Sequence, residues 1–195
     1  MFKGNDLEKA ILTAAQRAAK EFDKISGGSW LGDGPESFLQ IAVGIDIARQ
    51  SDRYVGFEKS PKKLQQEMEN KFRGQPPKIH GKRFDLVVWQ KATDKPRAII
   101  EVKRSWNKSG PIKDAEKIAK HFRLKSRTCI LGYLLVYVSR KKQDAMLKMF
   151  EIIAQDAMEI PGIRNAKFVD KVWGDEDEGW RWSIGLIRLD ADNLC

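Results

Sequence analysis

The stretch Lys95–Trp106, KPRAIIEVKRSW, runs through strand-forming apolar residues and carries Glu101 and Lys103 near its end. In a strand, residues two apart project to the same face. Glu101 and Lys103 therefore stand side by side, and Ile100 and Val102 point the other way, into a core. A carboxylate and an amine beside a buried strand are either a structural ion pair or a place where chemistry happens. Both residue types are common, so a Glu-x-Lys triplet is expected by chance about once in a chain of this length. Glu69–Lys71 is a second one, but its polar segment has helical character, where residues two apart do not share a face. Strand context and an acidic strand upstream set Glu101 and Lys103 apart.

That upstream strand is RFDLVVWQ, Arg83–Gln90, and the turn KATDKP joins it to the first as a hairpin. Hairpin pairing can bring Asp85 close to Glu101 and Lys103, although the register is not readable from sequence. Two carboxylates meeting at a sheet edge repel each other unless a cation lies between them. Mg²⁺ takes oxygen ligands and keeps several waters, so a pair of acids is a sufficient protein contribution. A bound metal promotes formation of hydroxide and stabilises charge on a phosphate oxygen. Lys103 would orient the attacking water or meet developing phosphoryl charge.

Working outward, Asp6–Phe22 has helical spacing at Leu7, Ile11, Ala14, Ala15, Ala18 and Phe22, with Asn5 and Glu8 as a variant capping box. A second helix starts at Pro35, a residue suited to a first turn. Its residues Glu36, Gln40, Val43 and Ile47 share one stripe, and it is apolar enough around its circumference to be largely buried. Glu36 on that stripe either needs a metal or basic partner or sits in the first turn favoured by the helix dipole. Asp52–Ser60 reads as a short strand, and Pro61–Lys82 as a polar helix and proline-marked loop. After the hairpin come the helix PIKDAEKIAKHFRLK, the apolar strand TCILGYLLVYVS, the helix KKQDAMLKMFEIIAQDAM and a closing hairpin around GDEDEG. The unalternating strand suits a central position covered on both faces. The expectation is one α/β domain over residues 1–195, with a mixed central sheet flanked by helices. Its core would span about residues 35–140, with an N-terminal helix at 5–24 and a C-terminal helix plus β-hairpin at 141–190 as additions.

Thirty-six Lys and Arg against twenty-seven Asp and Glu leave a net charge of +9. Such an excess favours a polyanionic partner, most commonly nucleic acid. No apolar run approaches the ~20 residues needed to cross a bilayer, and Cys129 and Cys195 form no disulfide framework or metal-ligand cluster. A cytoplasmic protein without a membrane partner is expected. Neither a P-loop nor a dinucleotide fingerprint is present.

RFDLVVWQ followed by IIEVKRS resembles the PD-(D/E)xK nuclease superfamily, also called restriction-endonuclease-like. Its core runs helix, three strands, helix, strand, the order read over Pro35–Arg140. The resemblance implies Mg²⁺-dependent phosphodiester hydrolysis, usually of DNA, with Mn²⁺ able to substitute. By it, Asp85 and Glu101 correspond to the metal-binding acids, Lys103 to the catalytic lysine and the Val102 carbonyl to a further metal ligand. Glu36 matches an acid on the first core helix, with Gln40 as an auxiliary neighbour. Phe84 stands where the motif has its proline, a position that varies in the family. Two alternatives remain: a nucleic-acid-binding or scaffold protein that keeps this core without hydrolysis, and a nuclease acting on RNA. Double-strand cutting by one small site often calls for two copies, which makes a homodimer an option.

Around this site, Lys113, Lys117 and Lys120 fall opposite the apolar stripe of their helix, where they would contact phosphates or form an ordinary solvated face. His121 at their margin is a structural or surface histidine, or a proton shuttle. Glu58 reads as an edge-strand charge that guards against aggregation, with a place in the cleft as the alternative. Trp180 and Trp182 share a face with Ile184 and Leu186, which reads as core packing ahead of base stacking.

Overall fold

The computed structural model describes residues 4–28, 31, 34–49, 52–61, 63–64, 83–122, 130–175 and 181–191. The polar helix and loop expected over 61–82, with Glu69, Lys71 and His80, lie almost wholly outside the described residues, as do Trp180, Cys129 and Cys195. Four helices are described: α1 (Gly4–Ser26), α2 (Glu36–Arg49), α3 (Ser109–Phe122) and α4 (Gln143–Met158). Six strands, β1 (Arg53–Lys59), β2 (Phe84–Gln90), β3 (Lys95–Arg104), β4 (Leu131–Arg140), β5 (Ile163–Asp175) and β6 (Arg181–Ala191), form one sheet in the order β1-β2-β3-β4-β6-β5. The pairs are antiparallel except β3 with β4. No helix among the described residues is long and apolar enough to cross a membrane.

Period-two alternation sends β4 into two cores. Tyr133, Leu135 and Tyr137 pack with α1 and α2, whereas Leu134, Val136 and Val138 pack with α3 and α4. Every residue from Gly132 to Ser139 is buried, so a strand covered on both faces can lack polar alternation. β3 divides the same way. Ala98, Ile100 and Val102 meet the α1–α2 layer, and Ile99 meets the α3–α4 layer. Glu101 and Lys103 share the parity of Ile99, so they leave the sheet on the α3 side, at the carboxyl end of the parallel pair.

Two expectations about the helices need correction. Glu8 does not complete a capping box: α1 begins at Gly4, and Glu8 is buried, accepting hydrogen bonds from Tyr133 (3.4 Å) and Arg188 (3.3 Å). Arg188 also binds Asp190 at 2.7 Å, so the carboxylate enters a paired polar cluster, which offsets its desolvation. α2 is buried at Leu39, Gln40, Val43, Gly44 and Ile47 but leaves Ile41 and Ile45 in solvent. One side of this helix packs on α1 and the sheet, and the apolar residues of the other side stay outside the core.

Packing is tight where β6 passes under α4. A methyl group added at Gly185 would lie 2.6 Å from the ring of Phe150, itself fully buried. Gly185→Ala is expected to lower the unfolding free energy by about 1–3 kcal/mol. The loss is read as a lower urea midpoint at unchanged slope.

Candidate active site

The turn between β2 and β3 pairs Leu86 with Ile100, which sets Asp85 next to Glu101 at the end of the hairpin. Asp85 Oδ2 accepts the Val102 N–H at 2.8 Å. Its carboxyl is raised above the ordinary value, mainly by burial, against the opposing pull of that N–H and of Lys117. Glu101 is 1% exposed. Burial, reinforced by the charge of Asp85 and only partly offset by Lys117, pushes it up to about 9. One oxygen, Oε2, meets Lys117 Nζ at 2.5 Å. The other, Oε1, is buried with no hydrogen-bond partner among the described residues.

Lys103 reaches the other acid. Its Nζ donates to Glu36 Oε1 at 3.1 Å, and Glu36 Oε2 accepts the Arg104 N–H at 2.7 Å. Glu36 stands in the first turn of α2, so it fastens that helix to the end of β3. Burial draws Lys103 down, but Glu36, with Asp114 and Asp85 behind it, outweighs burial and leaves the amine above its ordinary value. Lys103 is therefore placed as a hydrogen-bond donor to Glu36. Gln40, one turn further along α2, donates to Glu58 Oε1 at 2.9 Å and to the Asp85 carbonyl at 3.0 Å.

The structure thus brings Asp85, Glu101, Lys103, Glu36 and Gln40 into one connected group, with Val102 as the peptide link between Glu101 and Lys103. Asp85 and Glu101 are direct neighbours. Glu36 joins them through Lys103, and among the described residues no three His, Cys, Asp or Glu side chains cluster as metal ligands. Hard oxygen donors and one orphaned buried carboxylate oxygen fit a divalent cation held by two acids, with carbonyl and water ligands making up the rest.

No family model, curated protein or solved structure matches the chain.

Three flanking assignments change. Lys117 does not share a solvent face with Lys113 and Lys120, which are exposed. Its side chain is 11% exposed and turns toward the sheet, donating to Glu101 and to the Arg83 carbonyl at 3.0 Å. A long apolar stem lets the amine leave the face that helical spacing assigns to its Cα. His121 is not marginal but buried, set edge-on to Phe84 at 5.3 Å. Burial holds it down to about 4, and its Nδ1 has no partner among the described residues; no hydrogen bond there joins it to the acids. Exposed Glu58 faces the group: its backbone turns left-handed (φ 51°) where the β1–β2 ladder skips it and Asp85, and its charge raises the Asp85 carboxyl. Trp182, half-buried, stacks with Tyr137 at 6.2 Å.

Sequence reading missed Asp114, whose charge acts on Asp85, Glu101 and Lys103 and which lies 3.7 Å from Lys117. The i, i+3 pairing of Asp114 and Lys117 was the available signal.

Proposed function

We propose that the chain is a Mg²⁺-dependent nuclease that hydrolyses phosphodiester bonds in DNA, built on the PD-(D/E)xK plan. The observation that carries this reading is the buried Oε1 of Glu101, beside Asp85 and without a hydrogen-bond partner among the described residues. Asp85 and Glu101 lie beside Lys117 with Asp114 close by, an excess of carboxylates over nearby ammonium groups among the described residues that a divalent cation would offset. The order α2-β1-β2-β3-α3-β4, with β4 parallel to β3, supports the same plan. A divalent cation, held by Asp85 and Glu101, would supply an acidified water and stabilise negative charge developing on the phosphate. Lys103, kept charged by Glu36, orients the attacking water or meets charge on the phosphoryl oxygens. The Val102 N–H holds Asp85 in place, and Gln40 braces the Asp85 backbone from α2.

The Lys117–Glu101 contact favours one second reading. An amine that already partners the acid suits a nucleic-acid-binding protein that keeps this core without hydrolysis. The test is incubation with supercoiled plasmid, linear DNA and RNA in Mg²⁺ or EDTA. Cutting in Mg²⁺ alone, slowed about 10²–10³-fold in Lys103→Ala, is the expected result. Salt-sensitive binding without cutting in Mg²⁺ or Mn²⁺ would select the second reading. Preferential loss of the RNA would reassign the substrate.

A further inference from the structure

We infer that Trp106 and Arg140 form a stacking platform for an unpaired base at the mouth of this site, so that the strand presented to Lys103 is single-stranded or frayed. The inference rests on the nuclease reading and names its substrate class. A single exposed apolar side chain needs no explanation, but Trp106 differs in place, bracing and charge. It is 56% exposed, the most exposed Trp or Phe among the described residues. It follows Lys103 by three positions, at the carboxyl end of the parallel β3–β4 pair, and Arg140 closes β4 at the same end.

The loop that carries it is braced. The Ser105 N–H donates to the Tyr137 carbonyl at 3.0 Å, and Asn107 Oδ1 accepts from the Ser109 N–H (3.0 Å) and hydroxyl (2.6 Å). Arg140 donates to the Trp106 carbonyl, and its guanidinium lies 5.7 Å from the indole centre. Lys108, two residues on, is tied to Asp156 at 2.7 Å. A π-face held in water at little ordering cost, with a cation against it, suits a base on the indole and a phosphate beside the guanidinium. In a duplex the base faces are already stacked, so the platform engages only unpaired nucleotides.

The test is polarisation of labelled single-stranded DNA, single-stranded RNA and blunt duplex DNA in EDTA, with the wild type, Trp106→Leu and Trp106→Phe. Leucine keeps apolar bulk without a π-face. Trp106→Leu is expected to weaken single-strand binding about 5- to 150-fold and duplex binding less than about twofold, with Trp106→Phe close to wild type. Loss confined to the DNA or to the RNA strand supports the platform and identifies which sugar accompanies the base. Equal losses on single strand and duplex, no loss on either single strand, or wild-type binding of duplex alone would overturn the platform and leave the nuclease reading standing. Wild-type protein that binds none of the three in EDTA, and none when Ca²⁺ replaces EDTA, overturns both.

Discussion

Glu101→Gln is expected to abolish Mg²⁺-dependent cutting, by about 10³-fold, while making the metal-free protein more stable above neutral pH. The activity loss follows from removing one of two adjacent acids: several kcal/mol of charge stabilisation vanish, at about 1.4 kcal/mol per tenfold. The stability gain follows from proton linkage. Glu101 titrates near 4.5 in an ordinary setting and at about 9 in the fold. Between those values the folded chain holds a proton that the unfolded chain has lost, so metal-free stability falls as pH rises. His121 acts in the opposite sense below 6.5: it is held at about 4, so stability rises as pH climbs through that lower range. From about pH 6.5 to 9 the Glu101 slope stands clear of His121, at no more than about 1.4 kcal/mol per pH unit. Glutamine has no such proton, keeps an acceptor for Lys117 and should flatten the slope. Urea titrations in EDTA across that range measure it; parallel slopes in wild type and variant would refute the assignment.

Lys117→Met is expected to lower metal-free stability at neutral pH by roughly 1–3 kcal/mol, because it removes the hydrogen-bond partner of a carboxyl group that is 1% exposed. Mg²⁺ should restore part of the loss. A cation that binds only the folded chain stabilises it by mass action, and here it would replace the missing positive charge. The Mg²⁺-induced rise in melting temperature should therefore be larger in Lys117→Met than in the wild type. A smaller rise would mean that Lys117 helps to build the cation site and does not stand in for its charge. Lys103→Ala is the contrast. That amine is about one-third exposed and is paired with Glu36, so its removal should reach the chemistry with little effect on stability.

Much of the sheet was legible because its signals are local. Apolar strand-forming runs marked β2, β3 and β4, and a short turn joined β2 to β3 as a hairpin; the register that sets Asp85 beside Glu101 was not readable, because it depends on the pairing itself. What escaped depends on side chains that leave the face their spacing assigns. Lys113, Lys117 and Lys120 form one stripe by helical period, yet Lys117 bends to a buried acid. Glu8 looks like a capping residue, but its partners Tyr133 and Arg188 lie 125 and 180 positions away, beyond any local pattern. Ile41 and Ile45 gave α2 the composition of a buried helix, and composition does not say how far a neighbouring layer extends. Glu36 was legible as an acid in need of a partner; that the partner is Lys103, together with the Arg104 N–H, depends on where α2 crosses the end of β3.

The strap that Glu36 makes has a different span from the hairpin it secures. Asp85 and Val102 are 17 positions apart, whereas Glu36 and Arg104 are 68 apart. Loop closure grows logarithmically with length, so the longer tie is costlier by about 1.2 kcal/mol. On refolding, the two-carboxylate corner can assemble within a local hairpin while the Glu36 tie is still open. The two-carboxylate corner is thus the local half of the site, and the Glu36 tie that anchors the amine is its long-range half.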